Sequence, residues 1–284
     1  MKISRGRTYV AAAILAAAFL CPTMASAQGT AGSAINSPLS VMDTVQGQRE
    51  MMENMLQTGM GDPKEQAAYT AFHKLTDDQP DKKIKLGDAF LAKYPNDRYS
   101  QAVYEELAQT YYFKKDLKGF YYLSDKAISL FPDDVHLLAL TGWVIPRAFD
   151  PQDPDADKRL DRAESYEKHA IDVLSAMPKP EVFTDQQFAQ FKAGEKAVAL
   201  SGLGLIYFRR EQYDTSAQDL QEATADEAKP DPTDLFILGA DLENTGKWKE
   251  ASDAFTRCAQ AAGTMQAQCK QQAANAAGHA GDPK

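Results

Sequence analysis

QAVYEELAQTYYFKKDLKGFYYLSDKAISLFPDD, residues 101–134, holds two runs of helical periodicity joined by a short polar turn. Tyr104, Leu107, Ala108 and Tyr111 recur at three- and four-residue spacing and share one face of a first helix. Phe120, Ser124 and Ala127 do the same on a second helix, and Pro132 then stops it. The stretch therefore reads as a helical hairpin. One hairpin buries too little apolar surface to offset its chain entropy, so the second helix needs the first helix of a following hairpin to pack against.

The following hairpins are present downstream. Leu200, Leu203, Gly204 and Tyr207, then Tyr213, Ser216, Leu220 and Ala223, repeat the frame; Leu235, Leu238, Gly239 and Leu242, then Trp248, Ala251, Phe255 and Cys258, repeat it again. This pattern resembles the tetratricopeptide repeat, with its 34-residue period and its small and aromatic signature positions. The resemblance implies an all-α, right-handed superhelical solenoid of about five hairpins and a scaffold role toward other proteins. Two of the five hairpins are degenerate. In the first, Asp62-Pro63 caps a helix whose face is read as Ala67, Ala68, Ala71, Phe72 and Leu75, and a second helix with Ile84 to Leu91 stops at Tyr94-Pro95. In the third, the frame runs through Leu138 and Gly142, breaks at Pro146, and resumes with Ala163, Tyr166 and Ala170 after an acidic insertion at Arg147 to Asp157. From Thr184 or Asp185 a helix runs to about Arg210, longer than a repeat helix requires, with Gly194 inside it. A polar Ala- and Gln-rich helix from about Met265 to Ala277 reads as a solubilising cap, with residues 278–284 as a disordered tail.

The chain starts with Lys2, Arg5 and Arg7, an Ala-rich apolar core from Tyr9 to Leu20, and Ala25-Ser26-Ala27, which together read as a secretory signal cleaved after Ala27. Cys21 is no lipid-attachment site on this reading, because Ala18-Phe19-Leu20 lacks the preceding Leu and small residue that such signals carry. The apolar core is too short to span a bilayer and no later segment is apolar enough, so no transmembrane segment is expected in the mature chain. Residues 28–62 form a flexible leader, whose Val41, Met42, Val45, Met52, Met55 and Leu56 recur at roughly helical spacing despite Gly47. That Met-rich stripe is either a docking surface for another protein or an apolar face that folds back on the first repeat. The formal charge of −9 falls to −12 once the three cations of the signal are gone, which argues against nucleic acid as a partner. Of three cysteines only Cys258 and Cys269 remain, and an exported chain places them where a disulfide forms and persists. Phe90 to Tyr99, FLAKYPNDRY, is similar to a run found in repeat proteins of the Gram-negative envelope, including outer-membrane assembly lipoproteins and Tol-Pal coordinator proteins.

In this superfamily fixed positions of each first helix line a concave groove. Carried over, they are Glu105, Gln109, Tyr112, Trp143, Arg147, Ser201, Leu205, Phe208, Arg209, Phe236, Ala240 and Asn244. The aromatics among them suit the anchors of an interface that holds a peptide or partner helix. Glu105 and Gln109 stand where carboxylate-clamp members place basic and amide residues, so capture of a C-terminal carboxylate is not implied. Asp153, Asp155, Asp157 and Glu164 reproduce much of a calcium loop, yet Lys158 replaces the turn glycine and Pro154 stiffens the start, so no metal is expected. Gly202-Leu203-Gly204 lies inside a helix at a packing position, and no nucleophile elbow occurs. The four histidines stand far apart and read as surface or interface residues. The expectation is an exported, periplasmic protein-binding scaffold with no cofactor and no enzymatic activity. The alternative is a small-molecule or glycan-binding module built on the aromatics and the acidic insertion, which would require a closed pocket with converging polar groups.

Overall fold

The computed structural model describes residues 62–281 apart from 77, 96, 182 and 226–229, so the expected signal and nearly all of the leader lie outside the described residues. The described residues belong to one compact unit. They form helices and turns with no strand among them. The helices are α1 (Pro63–His73), α2 (Pro80–Lys93), α3 (Ser100–Phe113), α4 (Leu117–Leu130), α5 (Val135–Arg147), α6 (Ala156–Ala176), α7 (Asp185–Arg209), α8 (Tyr213–Ala223), α9 (Pro232–Asn244), α10 (Trp248–Gln260) and α11 (Gln266–Ala280). Consecutive helices pack on one another from α1 to the α10–α11 pair, and α5 also packs on α7.

Local chemistry sets the boundaries. Asp62, Asp116, Asp134 and Asp231 each accept a hydrogen bond from a backbone N–H of the helix they open, and Thr184 with Gln187 forms a capping box at α7. The hairpin turns repeat one geometry. Lys115, Glu211 and Gly246 all adopt positive φ, at 61°, 59° and 76°. The next residue's N–H then reaches back to Tyr111, Tyr207 and Leu242 carbonyls at 3.0, 2.9 and 2.8 Å. This is the left-handed helix ending in which the chain reverses within three residues.

The small residues of the frame mark where helix axes come close. A Cβ on Gly204 would stand 2.5 Å from Leu220, and one on Gly239 would stand 2.6 Å from Phe255. Gly204→Leu is therefore expected to overpack the α7–α8 contact and cost about 1 to 3 kcal/mol; an unchanged urea midpoint would count against the frame.

The first hairpin uses a different face from the one the alanines suggested. Ala67 and Ala71 are exposed, and Glu65, Tyr69 and Phe72 are buried. Tyr69 stacks on Tyr99 with ring centroids 4.2 Å apart, and an aromatic ring removes far more area from water than a methyl group does. The helix α5 continues through Pro146 to Arg147. A proline in the last turn removes only one late backbone bond, so it does not end the helix. At the other end α11 runs to Ala280, past Gly278.

Cys258 in α10 and Cys269 in α11 are joined, with their α carbons 5.8 Å apart. Both side chains are buried. Reduction is expected to lower stability by about 3 kcal/mol on the chain-entropy account of so short a loop. The check is the urea midpoint with and without reductant, alongside the mass increments of alkylated thiols.

Candidate functional site

The carried-over groove residues fall into two groups. Gln109, Tyr112, Trp143, Arg147, Ser201 and Arg209 come together where α3, α5 and α7 adjoin. Gln109 Nε2 and His136 Nε2 are 3.0 Å apart, and Tyr112 meets Trp143 edge to face at 5.8 Å. The Arg147 guanidinium lies 3.7 Å above the Trp143 ring. It donates to Ser201 Oγ at 2.9 Å, Asp231 Oδ2 at 3.2 Å and Asp234 Oδ1 at 2.7 Å. One side chain thus ties α5 to α7 and α9. Arg209 Nε donates to the Pro146 carbonyl at 3.3 Å, and burial followed by the Arg147 charge pushes its pKa down.

The second group sits elsewhere. Phe236 is buried against Phe255 at 5.4 Å within its own hairpin, while Phe208 meets Tyr213 at 6.1 Å. Leu205 and Ala240 are buried, and Asn244 is exposed at the end of α9. Glu105 is 4% exposed and Trp143 is 3% exposed. The half-buried Tyr112, Arg147, Phe208 and Arg209, with the exposed Asn244, form the accessible part of the set.

The structure adds inward acids that the frame does not announce. Of the surface or interface alternatives for the histidines, His136 is an interface residue buried between helices: its Nδ1 is 3.3 Å from Glu195 Oε1 and its other nitrogen faces Gln109. Glu167 of α6 is fully buried, and among the described residues neither carboxylate oxygen has a hydrogen-bond partner. It lies between Gly142 and Gly202, whose absent Cβ atoms make room for it; a Cβ on Gly202 would fall 1.8 Å from Oε1. Burial drives its pKa well above the carboxylate range, against the pull of Arg147. Asp234 is raised in the same way, by burial first, despite its contact with Arg147. The signal for these residues was an acid in phase with an apolar stripe, as Glu195 is with Phe191, Val198 and Gly202.

The acidic insertion is a set of turn contacts. Asp150 and Asp153 accept from the N–H groups of Gln152 and Asp155 at 2.9 Å, and Asp153 and Asp155 pair with Arg159 and Lys158. Burial acts to raise Glu164, but donors on Lys168, Arg210 and Tyr207 hold it at about 2. Among the described residues no group of three or more His, Cys, Asp or Glu side chains is arranged to hold a metal ion. Two shallow surface depressions of about 470 and 480 Å³ occur, one beside Tyr213 and Asn244 and one beside Glu164 and His169.

No protein-family pattern matches this sequence, and no curated protein does. Among solved structures, a thermophilic TPR protein of Thermus thermophilus is similar, with a TM-score of 0.50 at 16% sequence identity over 75% of this chain and 98% of that one. The fold is that of a tetratricopeptide-repeat solenoid. In this solenoid α3, α5, the second half of α7 and α9 are the first helices of successive hairpins, and the Tyr112–Trp143–Arg147 stack joins two of them, α3 and α5. Among the described residues no helix is long and apolar enough to cross a membrane.

Proposed function

We propose that this protein is an exported scaffold of the bacterial envelope, periplasmic after cleavage at Ala27, which holds a segment or helix of another envelope protein along its first helices. The observation that carries this reading is the Tyr112–Trp143–Arg147 stack. It combines a rigid aromatic pair with a fixed guanidinium, the residue types that dominate interface energetics, at positions that the repeat frame assigns to the groove. The joined Cys258–Cys269 pair supports an oxidising compartment, and the net negative charge supports a protein rather than a nucleic-acid partner. Shallow, open depressions give little support to a small-molecule module. The test places a photo-cross-linking residue at Tyr112 or at Phe208, and for comparison at Tyr122, a fully outward residue of α4 that is 72% exposed. Adducts with a defined envelope protein from the first two positions and not the third are expected; equal labelling from Tyr122, or none from the groove, overturns the reading. N-terminal sequencing of the protein recovered from the periplasm checks the cleavage site.

A further inference from the structure

The last residue of each first helix stands at one position of the frame. Five residues after the small residues Ala108, Gly142, Gly204 and Gly239 come Phe113, Arg147, Arg209 and Asn244, which close α3, α5, α7 and α9. Arg147 and Arg209 are therefore equivalent residues of neighbouring first helices, and α5 packs on α7. Their charges are treated unequally. Arg147 is balanced by Asp231 and Asp234, whereas Arg209 meets no carboxylate among the described residues. Its Nε donates to the Pro146 carbonyl at 3.3 Å and its guanidinium lies 5.4 Å from the Phe149 ring centroid, which leaves both terminal nitrogens without an acceptor among the described residues. Arg98, Arg159, Arg162 and Arg210 each have a carboxylate, and Arg257, which has none, is exposed and donates to the Thr224 carbonyl. In a chain of 40 acidic and 31 basic side chains, a half-buried groove cation without an acid is the exception.

We propose that the Arg209 guanidinium is a subsite for a side-chain carboxylate, an Asp or Glu within the partner segment that the groove holds. This deepens the groove reading above and rests on it. A guanidinium is a planar fork whose two terminal nitrogens match the two oxygens of a carboxylate, and the Pro146 carbonyl and the Phe149 ring already hold this one in place. Preorganisation of that kind lowers the cost of binding. Charge selects the ligand. One unbalanced cation matches one carboxylate, while a phosphate would bring close to a second negative charge toward Asp231 and Asp234, which already face Arg147. The ends of α5 and α7 are the negative poles of their helices and disfavour an anion, so its binding depends on Arg209 itself. The flanking positions suit the same segment. Asn244 Nδ2 donates to the Ala240 carbonyl at 2.9 Å, which leaves its Oδ1 to accept a backbone N–H, and the exposed Phe113 ring offers an apolar contact at the other end of the row.

Selection from a displayed library tests this on the full-length protein. The library carries short random segments as internal loops, so that no free C-terminus is offered. Segments that bind the wild type and compete with cross-linking at Tyr112 are expected to be enriched in Asp or Glu at one position. In an end-blocked synthetic copy of the leading segment, replacing that acid by its amide is expected to weaken binding about tenfold, the size of one charge-assisted pair. Arg209→Gln keeps an N–H for the Pro146 carbonyl; it is expected to cost the acidic peptide the same factor and the amide peptide nothing. Arg209→Glu is expected to select Lys or Arg at that position, which a purely structural arginine would not do. Segments with no acidic preference, a preference indifferent to Arg209→Gln, or no binding segment at all overturn the proposal. The two readings fail separately. Groove-binding segments that lack an acid remove the carboxylate subsite alone. Acid-dependent segments that need Arg209, with no envelope protein captured from Tyr112 or Phe208, remove the partner reading alone.

Discussion

Arg147→Met is expected to destabilise the protein by about 3 to 5 kcal/mol, the largest effect of any single change considered. The guanidinium is the cation that meets Asp231 and Asp234 at 3.2 and 2.7 Å, and all three side chains are largely withdrawn from water. Removing it leaves two buried carboxylates without their counter-charge, and that penalty exceeds whatever the ion pair contributed in the first place. It also removes the donor to Ser201 Oγ and the cover over Trp143. The loss can be traced to the stranded carboxylates by a triple change. Arg147→Met with Asp231→Asn and Asp234→Asn keeps a capping side chain at Asp231 and is expected to recover most of the stability. Urea unfolding of the two variants decides: a single change that costs under about 1 kcal/mol, or a triple change no better than the single, excludes the charge account.

Stability is expected to fall as pH rises from 5.5 to 8, on the order of 3 kcal/mol in all. Asp241 makes the sign clear. Ser216 Oγ lies 2.8 Å from the Gly204 carbonyl and 2.6 Å from Asp241 Oδ2, yet a hydroxyl has one proton to give. With that proton on the carbonyl, the bond to Asp241 needs a proton from the carboxyl itself. Burial correspondingly lifts Asp241 from 3.8 to about 8, with the Asp214 charge adding to it and the Ser216 bond opposing it. Between those values the folded protein holds a proton that the unfolded chain has released. The stability is therefore fully present below the unfolded value and is lost as pH climbs toward 8, by up to about 1.4 kcal/mol per unit for this group. Glu167 and Asp234 add to the slope in the same direction. Glu164, held at about 2, acts oppositely and only as pH falls below the ordinary carboxylate range. Asp241→Asn keeps a partner for Ser216, so it is expected to flatten the slope and to raise stability at pH 8. A wild-type midpoint that is flat or rising over this interval contradicts the argument.

The solenoid was legible because its packing positions demand particular sizes. Gly204 and Gly239 are where helices touch, and the residues sixteen further on, Leu220 and Phe255, are the knobs that fill the space. That spacing survives in a bare sequence. The α6 hairpin obeys the same rule in disguise: the insertion delays the knob, and Glu167 takes it opposite Gly142. A glutamate on a helix is ordinarily solvent-facing, so its phase with Leu160, Ala163, Ala170 and Leu174 was the one sign that it turns inward. The groove positions were likewise legible as positions, through the register of the first helices. Their fates were not, because whether Phe236 faces the groove or Phe255 depends on rotamers and neighbours that periodicity does not carry. The Arg147 contacts span more than eighty residues and involve acids that read as a cap and a first-turn charge.

The staple between α10 and α11 has a consequence for the order in which the molecule comes apart. A linear array of repeats opens from its ends, where each unit has one neighbour instead of two. The helix α11 buries little beyond Cys269 and Ala276 and would be the first to fray, but its bond to Cys258 means that it cannot leave without α10. The first hairpin has no such tether and holds on chiefly through Tyr69, Phe72 and Phe90. Opening is thus polarised, proceeding from the α1 end toward the cross-linked end, and reduction of one bond gives the array two places to start.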